Sequence, residues 1–439
     1  MVSGDTRQHV AEGYKQSEVG VIPSDWLVSN LGAIGSFKNG INKDGDSFGH
    51  GGPLVNLMDV FGKTSIESVE HLGLIDSSDT DKKEYDLRAG DVLFIRSSVK
   101  PSGVGLTVVI KKDLESAVFS GFLIRYRSDA SICSEYLEHC FYDLGFRKRI
   151  IAASSVSANT NINQDSLKRL PLAYPKLLDE QTAIANALSD VDALITSLEK
   201  LIAKKRAMKT AAMQQLLTGK KRLPPFDQSH TGYKQTELGE IPEDWDVMPM
   251  GALFEPKLNR KQLSPDELVT FIGMQDVSEE AKILGDRKVR RAEVGAGFTY
   301  FERGDVLVAK ITPCFENGKG CFADVLDTQV GFGSTEFHVL RARRNTDAHY
   351  LYFLTITDRF RRELESEMIG SAGHKRVPLA SIEKFLTPVP GDCEEQAAIA
   401  LALSDMDGEL SALQCRLAKT QQLKQGMMQE LLTGRTRLL

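Results

Sequence analysis

The chain has 439 residues, of which 41% are hydrophobic and 26% charged, with a formal net charge of -6 at pH 7. This length predicts at least two domains of roughly 100–200 residues each. The composition excludes disordered, collagen-like and membrane-spanning proteins, and no secretory signal opens the chain, so we expect a cytoplasmic protein with no membrane contact. The negative net charge argues mildly against a nucleic-acid partner. Lysine and arginine concentrated on one surface would still allow such a partner to bind.

The chain contains two related copies of one framework. GYKQSEVGVIPSDW, at residues 13–26, matches GYKQTELGEIPEDW, at residues 232–245, at ten of fourteen positions. DEQTAIANALSDVD and MQQLLTGKKRL recur 215 residues later as EEQAAIALALSDMD and MQELLTGRTRL. GDVLFIRSS resembles GDVLVAKIT, whereas most of the intervening sequence differs. So long a period indicates duplication of a whole domain and predicts two related sites of different specificity.

Each copy begins with a segment of mixed α and β character. Short apolar runs bounded by glycine and aspartate predict strands at Val92–Ile95, Leu106–Ile110, Phe122–Ile124 and Val306–Val308. Periodic stretches predict one helix over Glu135–Ile151 and another over Ala348–Met368.

A long amphipathic helix is predicted after each of these segments. From Glu180 to about Thr218, apolar residues recur at alternating steps of four and three, and the second copy repeats this seam from Ile399 before ending at Thr433-Gly434. Each helix would hold about 38–40 residues and extend roughly 60 Å, so it needs a partner. We predict that the two helices pair as an antiparallel coiled coil. Burial against the protein's own domains or against another protein is the alternative.

The sequence carries no recognisable catalytic or metal-binding motif. There is no Gly-x4-Gly-Lys-Ser/Thr loop, and the histidines are scattered. The six cysteines have spacings that fit neither a zinc site nor a redox pair. Pro224-Pro225-Phe226 follows Leu223, which cannot accept the hydrogen bond that an adenine methyltransferase motif requires. We therefore predict no catalytic residue, no metal and no cofactor.

Basic residues recur in the divergent segments. Such side chains bond phosphates and base edges. They comprise Arg125, Arg127, Arg147, Lys148 and Arg149 in the first copy, and Arg287, Lys288, Arg290, Arg291, Arg341, Arg343, Arg344, Arg359, Arg361 and Arg362 in the second. A basic stretch of the first long helix, which includes Lys205, Arg206 and Lys209, could face DNA or an acidic partner.

Several segments resemble the repeated signature of specificity subunits of type I restriction-modification systems. In the first copy they are GYKQSEVGVIPSDW, GDVLFIRSS and NINQDSLKRLPLAYPKLLDEQTAIANALSDVD. The second supplies VTFIGMQDVS, GDVLVAKIT, GSAGHKRVPLASIEKFLTPVP and EEQAAIALALSDMD in the same order. The resemblance implies an α+β fold with two tandem mixed α/β target recognition domains, each followed by a long helix. The implied bounds are 1–178 (core from about 13) and 232–393 for the domains, 179–219 and 394–439 for the helices, and 220–231 for the linker.

The resemblance also implies a function. Each domain would read one half of a bipartite target in double-stranded DNA, and the helices would set the gap. The chain would be a non-catalytic subunit without a cofactor, joined by two methyltransferase subunits and by restriction subunits that are ATP-dependent translocase-endonucleases. The alternatives are a coiled-coil scaffold that does not touch DNA, a recognition subunit for a methyltransferase-nuclease of another restriction type, and a stand-alone DNA enzyme with an unfamiliar site.

The candidate DNA-contacting residues follow from the same comparison. They are Arg96, Ser97, Ser98 and Lys100 after the first GDVLF run; Asn159, Thr160, Asn161 and Asn163 in a later polar loop; Lys310, Thr312, His374, Lys375 and Arg376 in the second copy; and Asn56 and Gln275 after two similar short strands. Arginine or lysine would read guanine, and asparagine or glutamine would read adenine. Packing or turn roles are the alternative for each residue.

Overall fold

A computed structural model describes residues 10–228, 232–371 and 373–438. The chain divides into two compact units, one formed by residues up to Glu199 together with those from Arg416, the other by Lys200–Cys415. Each unit therefore combines one mixed α/β domain, part of the long helix that follows it and part of the other long helix. Residues 1–9 of the predicted first domain and 229–231 of the predicted linker lie outside the described residues.

The first domain is built around a five-stranded sheet. The strands of the whole domain are β1 (Tyr14–Ser17), β2 (Gly20–Pro23), β3 (Leu27–Asn30), β4 (Gly35–Asn39), β5 (Phe48–Val55), β6 (Ser65–Ile66), β7 (Gly73–Ile75), β8 (Val92–Ile95), β9 (Ser97–Ser98), β10 (Thr107–Ile110), β11 (Val118–Phe119), β12 (Leu123–Ser128), β13 (Ser155–Val156), β14 (Thr160–Asn161) and β15 (Pro171–Tyr174). Its helices are α1 (Asp79–Glu84), α2 (Ser134–Cys140), α3 (Leu144–Ala152) and α4 (Gln164–Lys168). The central sheet has the order β4-β12-β8-β10-β6.

Strand β8 lies at the centre of this domain because all four of its side chains are apolar. Alternate side chains point to opposite faces of a sheet. Val92 and Phe94 enter the core that also holds Trp26, while Leu93 and Ile95 enter a second core with Val55 and Phe119. A strand buried on both faces reads as an unbroken apolar run.

The second domain is related to the first, but its main strands form a four-stranded sheet and a three-stranded sheet. Its strands are β16 (Tyr233–Thr236), β17 (Gly239–Pro242), β18 (Trp245–Pro249), β19 (Leu268–Ile272), β20 (Arg287–Arg290), β21 (Thr299–Glu302), β22 (Val306–Ala309), β23 (Gly320–Phe322), β24 (Val330–Gly333), β25 (Phe337–Leu340) and β26 (Leu386–Pro390). The four-stranded sheet has the order β20-β19-β24-β21, and the three-stranded sheet has the order β23-β22-β25. Its helices are α6 (Ala348–Thr355), α7 (Asp358–Ser366) and α8 (Leu379–Lys384), α5 being the first long helix. β22, like β8, is fully buried and divides its side chains between two cores.

Two predicted helices and three of the four predicted strands differ from the structure in their bounds. The stretch predicted as one helix over Glu135–Ile151 is two helices, because the Asp143 side chain accepts from the Phe146 N–H and starts α3 afresh. Thr357 caps α7 in the same way and divides Ala348–Met368. The strand predicted over Leu106–Ile110 begins at Thr107, and the one predicted over Phe122–Ile124 covers Leu123–Ser128. The strand predicted over Val306–Val308 extends to Ala309.

The long helices are α5 (Leu178–Leu216) and α9 (Cys393–Leu431), with 39 residues each. In the second unit Lys209 Nζ lies 2.6 Å from Asp407, and Lys205 Nζ lies 2.6 Å from Glu409. Residue numbers thus rise along one helix as they fall along the other. In the first unit Lys424 of α9 pairs with Asp192 of α5 at 2.6 Å. These ion pairs confirm the predicted antiparallel pairing.

The segment after each long helix is anchored by an arginine that pairs with a buried glutamate. In the second unit Arg222 bonds both carboxylate oxygens of Glu395 at 2.8 and 2.6 Å and reaches Asp244 at 3.0 Å. In the first unit Arg437 bonds Glu180 and Asp25 in the same manner. Each glutamate lies in the first turn of the other long helix, so every unit ties the end of one helix to the start of the other. No helix in the described parts of the chain is long and apolar enough to cross a membrane.

Candidate DNA interface

Six of the predicted residues of the first domain meet at the end of strand β8. After Ile95 the chain leaves the central sheet and forms β9, which pairs with β14 in the register Ser98 to Thr160 and Ser97 to Asn161. The Arg96 carbonyl accepts from the Ile162 N–H at 2.9 Å, which fixes this register. The polar loop is thereby held beside the segment that follows the GDVLF run. The residues brought together are Arg96, Ser97, Ser98, Asn159, Thr160 and Asn161.

A cavity of about 500 Å³ opens beside these strands. Lys100 and Asn159 line it with Ser97 and Ser98, and the rest of its wall includes Phe61 and Phe122. Large apolar side chains are unusually exposed around this region: Met58, Val99, Phe122 and Val156 are 74%, 82%, 59% and 78% exposed. Exposed apolar groups rimmed by polar ones mark interaction sites.

The second domain brings its predicted residues together in the same way. Beyond β22, Ile311 forms a bridge with Arg376, and the Thr312 N–H donates to the Lys375 carbonyl at 3.0 Å. The Val377 N–H donates to the Lys310 carbonyl at 2.8 Å. Lys310, Thr312, His374, Lys375 and Arg376 therefore form one group, in which the last three are exposed.

The Arg376 guanidinium is held by a carboxylate that the sequence analysis did not single out. Its Nε donates to one oxygen of Glu336 at 2.9 Å, and Nη2 donates to the other at 2.8 Å. The hydrogen bond from Arg376 lowers the pKa of Glu336, and the same contact raises the pKa of Arg376. Both groups are therefore charged at neutral pH.

The two sites occupy equivalent backbone positions. Arg96 N–H donates to the Phe122 carbonyl at 2.9 Å, as Lys310 N–H does to that of Glu336. The Ser120 hydroxyl accepts from the Phe122 N–H, and Ser334 accepts likewise from that of Glu336. These shared bonds align the copies residue by residue. The aligned pairs are Arg96 with Lys310, Ser98 with Thr312, Phe122 with Glu336, Asn159 with His374, Thr160 with Lys375 and Asn161 with Arg376.

The remaining predicted residues lie at nearby turns or in helix caps. The side-chain oxygen of Asn56 accepts from the Leu57 N–H. The side-chain oxygen of Asn163 accepts from the Ser166 N–H at the start of α4. Gln275 is exposed in the matching turn of the second domain, one residue before Asp276. Thr160 is buried within the β14 pairing.

Most of the arginines predicted as possible DNA contacts form hydrogen bonds within their own domain instead. Arg127 donates two hydrogen bonds to the buried Asp91, at 2.6 and 2.7 Å. In the second copy Arg341 donates two hydrogen bonds to Asp305, which holds the equivalent position, both at 2.8 Å. Arg147 donates to three backbone carbonyls. These cations are engaged within the fold.

The basic stretch of α5 is also engaged by acidic groups of the same chain. Within the second unit Lys205 and Lys209 pair with α9, and Arg206 lies 3.0 Å from Glu280. For these three residues the acidic partner lies in the same chain. In the described residues no group of three or more histidines, cysteines or acids is arranged to hold a metal.

The family model for the type I restriction modification DNA specificity domain matches residues 23–205 and again 242–424. The chain belongs to this family. Both matches run from a domain into the long helix that follows, so the duplicated unit of the family is the one seen in the sequence and in the fold.

Individual relatives agree with this assignment. The chain is 34% identical over 161 residues to the EcoEI specificity subunit of Escherichia coli, spanning 36% of this chain and about a quarter (27%) of that relative. It is 25% identical to the putative MjaX specificity subunit of Methanocaldococcus jannaschii over 97% of both chains. The fold resembles that of the type I S subunit from M. genitalium, with a TM-score of 0.52, 13% identity, and coverage of 92% of this chain and 96% of that one.

Phe122 and Glu336 were missed because their place at the site depends on strand pairing. Each is the residue before a strand that runs antiparallel to the GDVL strand. The signal available in the sequence was the repeated serine two residues earlier, at positions 120 and 334. Recognising it requires the register that only the structure supplies.

Proposed function

We propose that this chain is a non-catalytic DNA specificity subunit that reads a bipartite target in double-stranded DNA. Residues 1–178 and 232–393 act as recognition domains, each for one half-site. Residues 179–219 and 394–439 act as the helical spacer, and 220–231 link the two copies. The names of the relatives, all specificity subunits of type I restriction enzymes, support this proposal.

The observation that carries the proposal is one backbone frame that displays two different sets of polar side chains. In both copies a strand continues past the GDVL segment and pairs with a later loop. The first frame presents serine and asparagine, and the second presents lysine, histidine and arginine. Such a frame provides constant geometry with variable hydrogen-bond donors and acceptors, which is what reading two different sequences requires.

The residues take distinct parts in this proposal. Asn159, Asn161, Gln275, His374 and Arg376 face base edges, while Arg96, Lys100, Lys310 and Lys375 bond phosphates or guanine. Ser97, Ser98 and Thr312 add hydroxyl contacts. Asn56 and Asn163 contribute the amide NH2 groups that are outside their capping bonds, and the buried Thr160 holds the loop in register.

The partners follow from the class of relative. A specificity subunit without its own catalytic group needs methyltransferase subunits, here two, and restriction subunits that cut DNA. A solved structure described as showing complex assembly of the type I system has the same overall fold, with a TM-score of 0.52. We place the complex in the cytoplasm, where DNA is accessible.

The test is methylation mapping at single-molecule level in cells that express this chain with its neighbouring methyltransferase. A split motif that carries N6-methyladenine and disappears when the gene is deleted is the expected result. His374→Ala with Lys375→Ala should relax the second half only, and Asn159→Ala with Asn161→Ala the first half only. The matched control is Arg206→Ala, which removes a surface cation outside both sites.

Each other outcome identifies a different error. Relaxation of both halves by one pair of substitutions would contradict the assignment of one half-site to each domain. Methylation that persists after deletion of the gene would favour the scaffold function of the coiled coil. A motif that is methylated and cut by a single fused methyltransferase-nuclease would keep the DNA-reading role and change the partner.

A further inference from the structure

Glu336 places a carboxylate in the middle of a basic site. Its neighbours in the second recognition frame are Lys310, Arg376 and the half-buried His338. A carboxylate repels DNA phosphates, so its presence there weakens non-specific attraction. It must therefore serve a purpose other than affinity.

The ion pair between Glu336 and Arg376 is not required to build the frame. The first domain forms the same strand pairing with Phe122 and Asn161 at these two positions, with matching hydrogen bonds on either side. The two charged side chains are 24% and 47% exposed. Exposed ion pairs of this kind contribute little to folding.

What the ion pair does fix is the orientation of Arg376. Glu336 occupies the edge of the guanidinium formed by Nε and Nη2, with one oxygen on each nitrogen. The side chain can then offer only its outer donors, on Nη1 and the second hydrogen of Nη2. Those donors form a planar pair that matches the O6 and N7 acceptors of guanine. The fork is oriented before DNA arrives, which reduces the side-chain entropy lost on binding.

We propose that Glu336 is a specificity-determining residue of the second domain, which holds Arg376 for guanine and keeps it from moving to a phosphate. This inference rests on the proposed function. It predicts that the second half-site contains an obligatory G·C pair opposite Arg376. It also predicts that the equivalent pair of the first half-site is read differently, because Phe122 and Asn161 carry no charge.

The experiment uses the chain assembled with its methyltransferase partner and duplexes in which each base pair of the mapped target is changed in turn. Dissociation constants are measured for wild type, Glu336→Gln, Arg376→Lys and Arg376→Ala. Glu336→Gln should lower discrimination at one G·C pair of the second half, by at most the value of one bidentate contact, about 5- to 150-fold. Its affinity for non-target DNA should stay equal or rise, since a negative charge is lost.

Arg376→Lys separates orientation from charge, because lysine keeps the cation and lacks the fork. It should lower discrimination at the same G·C pair at least as far as Glu336→Gln does, because the ammonium cannot replace two parallel, oriented hydrogen bonds, and it should keep non-target affinity. Arg376→Ala should lower both. The matched control is Glu363→Gln on α7, which pairs with Arg359 at 3.5 Å and removes one charge from the same domain. It should leave discrimination at every pair unchanged.

The outcomes distinguish this inference from the function on which it rests. If wild type discriminates between targets and Glu336→Gln discriminates equally well, the orienting role is wrong and the proposed function stands. If wild type itself shows no preference among duplexes, the proposed function fails. An unchanged urea midpoint for Glu336→Gln assigns its lost discrimination to the site, whereas a lowered midpoint together with weaker binding to all duplexes would show a structural role and overturn the inference.

Discussion

Replacing Arg222 by alanine should destabilise the second unit strongly. The side chains of Arg222 and Glu395 are only 3% and 2% exposed, and two hydrogen bonds join them. Asp244 gives Arg222 a second partner, and Trp245 donates to Glu395 at 3.1 Å. Removal of the arginine would leave the Glu395 carboxylate buried without its counter-charge. Breaking one side of a buried ion pair costs about 3–5 kcal/mol.

Urea unfolding followed by the fluorescence of Trp245 measures this loss, because that indole contacts the glutamate. The chain has two tryptophans, so a Trp26→Phe background makes Trp245 the only reporter. For a denaturant slope of about 2–3 kcal/mol/M, the midpoint should fall by roughly 1–2 M. The double variant Arg222→Met with Glu395→Gln keeps an uncharged acceptor for Trp245 and should recover most of the loss.

Arg206→Ala is the matched control for this experiment. Arg206 pairs with Glu280 at 3.0 Å in the same unit, but the side chains are 52% and 55% exposed. Its loss should cost less than about 1 kcal/mol, since water screens the pair. A midpoint shift for Arg222→Ala no greater than that for Arg206→Ala would refute the argument from burial.

Three further outcomes are expected. Gly219→Ala should lower the free energy of unfolding in urea by about 2 kcal/mol or more, because φ is +70° and a Cβ would lie 2.4 Å from Pro242. Gly408 lies within a helix with open space around it, so Gly408→Ala should instead raise the free energy of unfolding by up to about 1 kcal/mol. Equal effects of the two substitutions would contradict a left-handed cap at Gly219. Asp305→Ala should cost about 1–3 kcal/mol, because the Glu302 N–H loses its acceptor and Arg341, which is 24% exposed and keeps Glu302, loses one of its two partners; a shift near zero would show that solvent replaces the carboxylate. Burial lowers the pKa of His139 below 6.5, so the unfolded chain binds the proton more readily and stability should fall as pH drops below about 6.5. The urea midpoint of His139→Gln should therefore fall less between pH 7.5 and 5.5 than that of the wild type. An identical fall would refute this role of His139.

The sequence predicted the fold to the extent that local patterns are sufficient. Alternating steps of four and three specified the long helices, and the run Val92–Ile95 specified a strand buried on both sides. The breaks before Leu144 and Asp358 were missed, because an apolar period continues across them while one capping side chain, Asp143 or Thr357, restarts the backbone. A period cannot reveal where a cap interrupts it.

The candidate sites show the same division. Repeated motifs brought Arg96 and Lys310 to attention, and the structure places the later loop beside each. Arginine content, by contrast, was a poor guide. Arg127 and Arg341 bond buried aspartates that lie 36 residues earlier in the chain, and Glu336 joins its site through cross-strand register. Those partners are set by pairing between distant segments, which no local pattern encodes.

The first unit is formed by two segments that lie far apart in the chain, which delays its folding during synthesis on the ribosome. Its core includes Leu431 and Leu432, and Arg437 supplies the counter-charge of Glu180, so the unit is incomplete until residues 431–437 have emerged. The second unit is continuous from Lys200 to Cys415 and can close first. At about 5–20 residues/s, translation of that stretch keeps the earlier domain waiting for roughly 10–40 s. During that interval its unfinished apolar face is exposed to chaperones and proteases, and a chain cut short before Leu431 would stay in that condition.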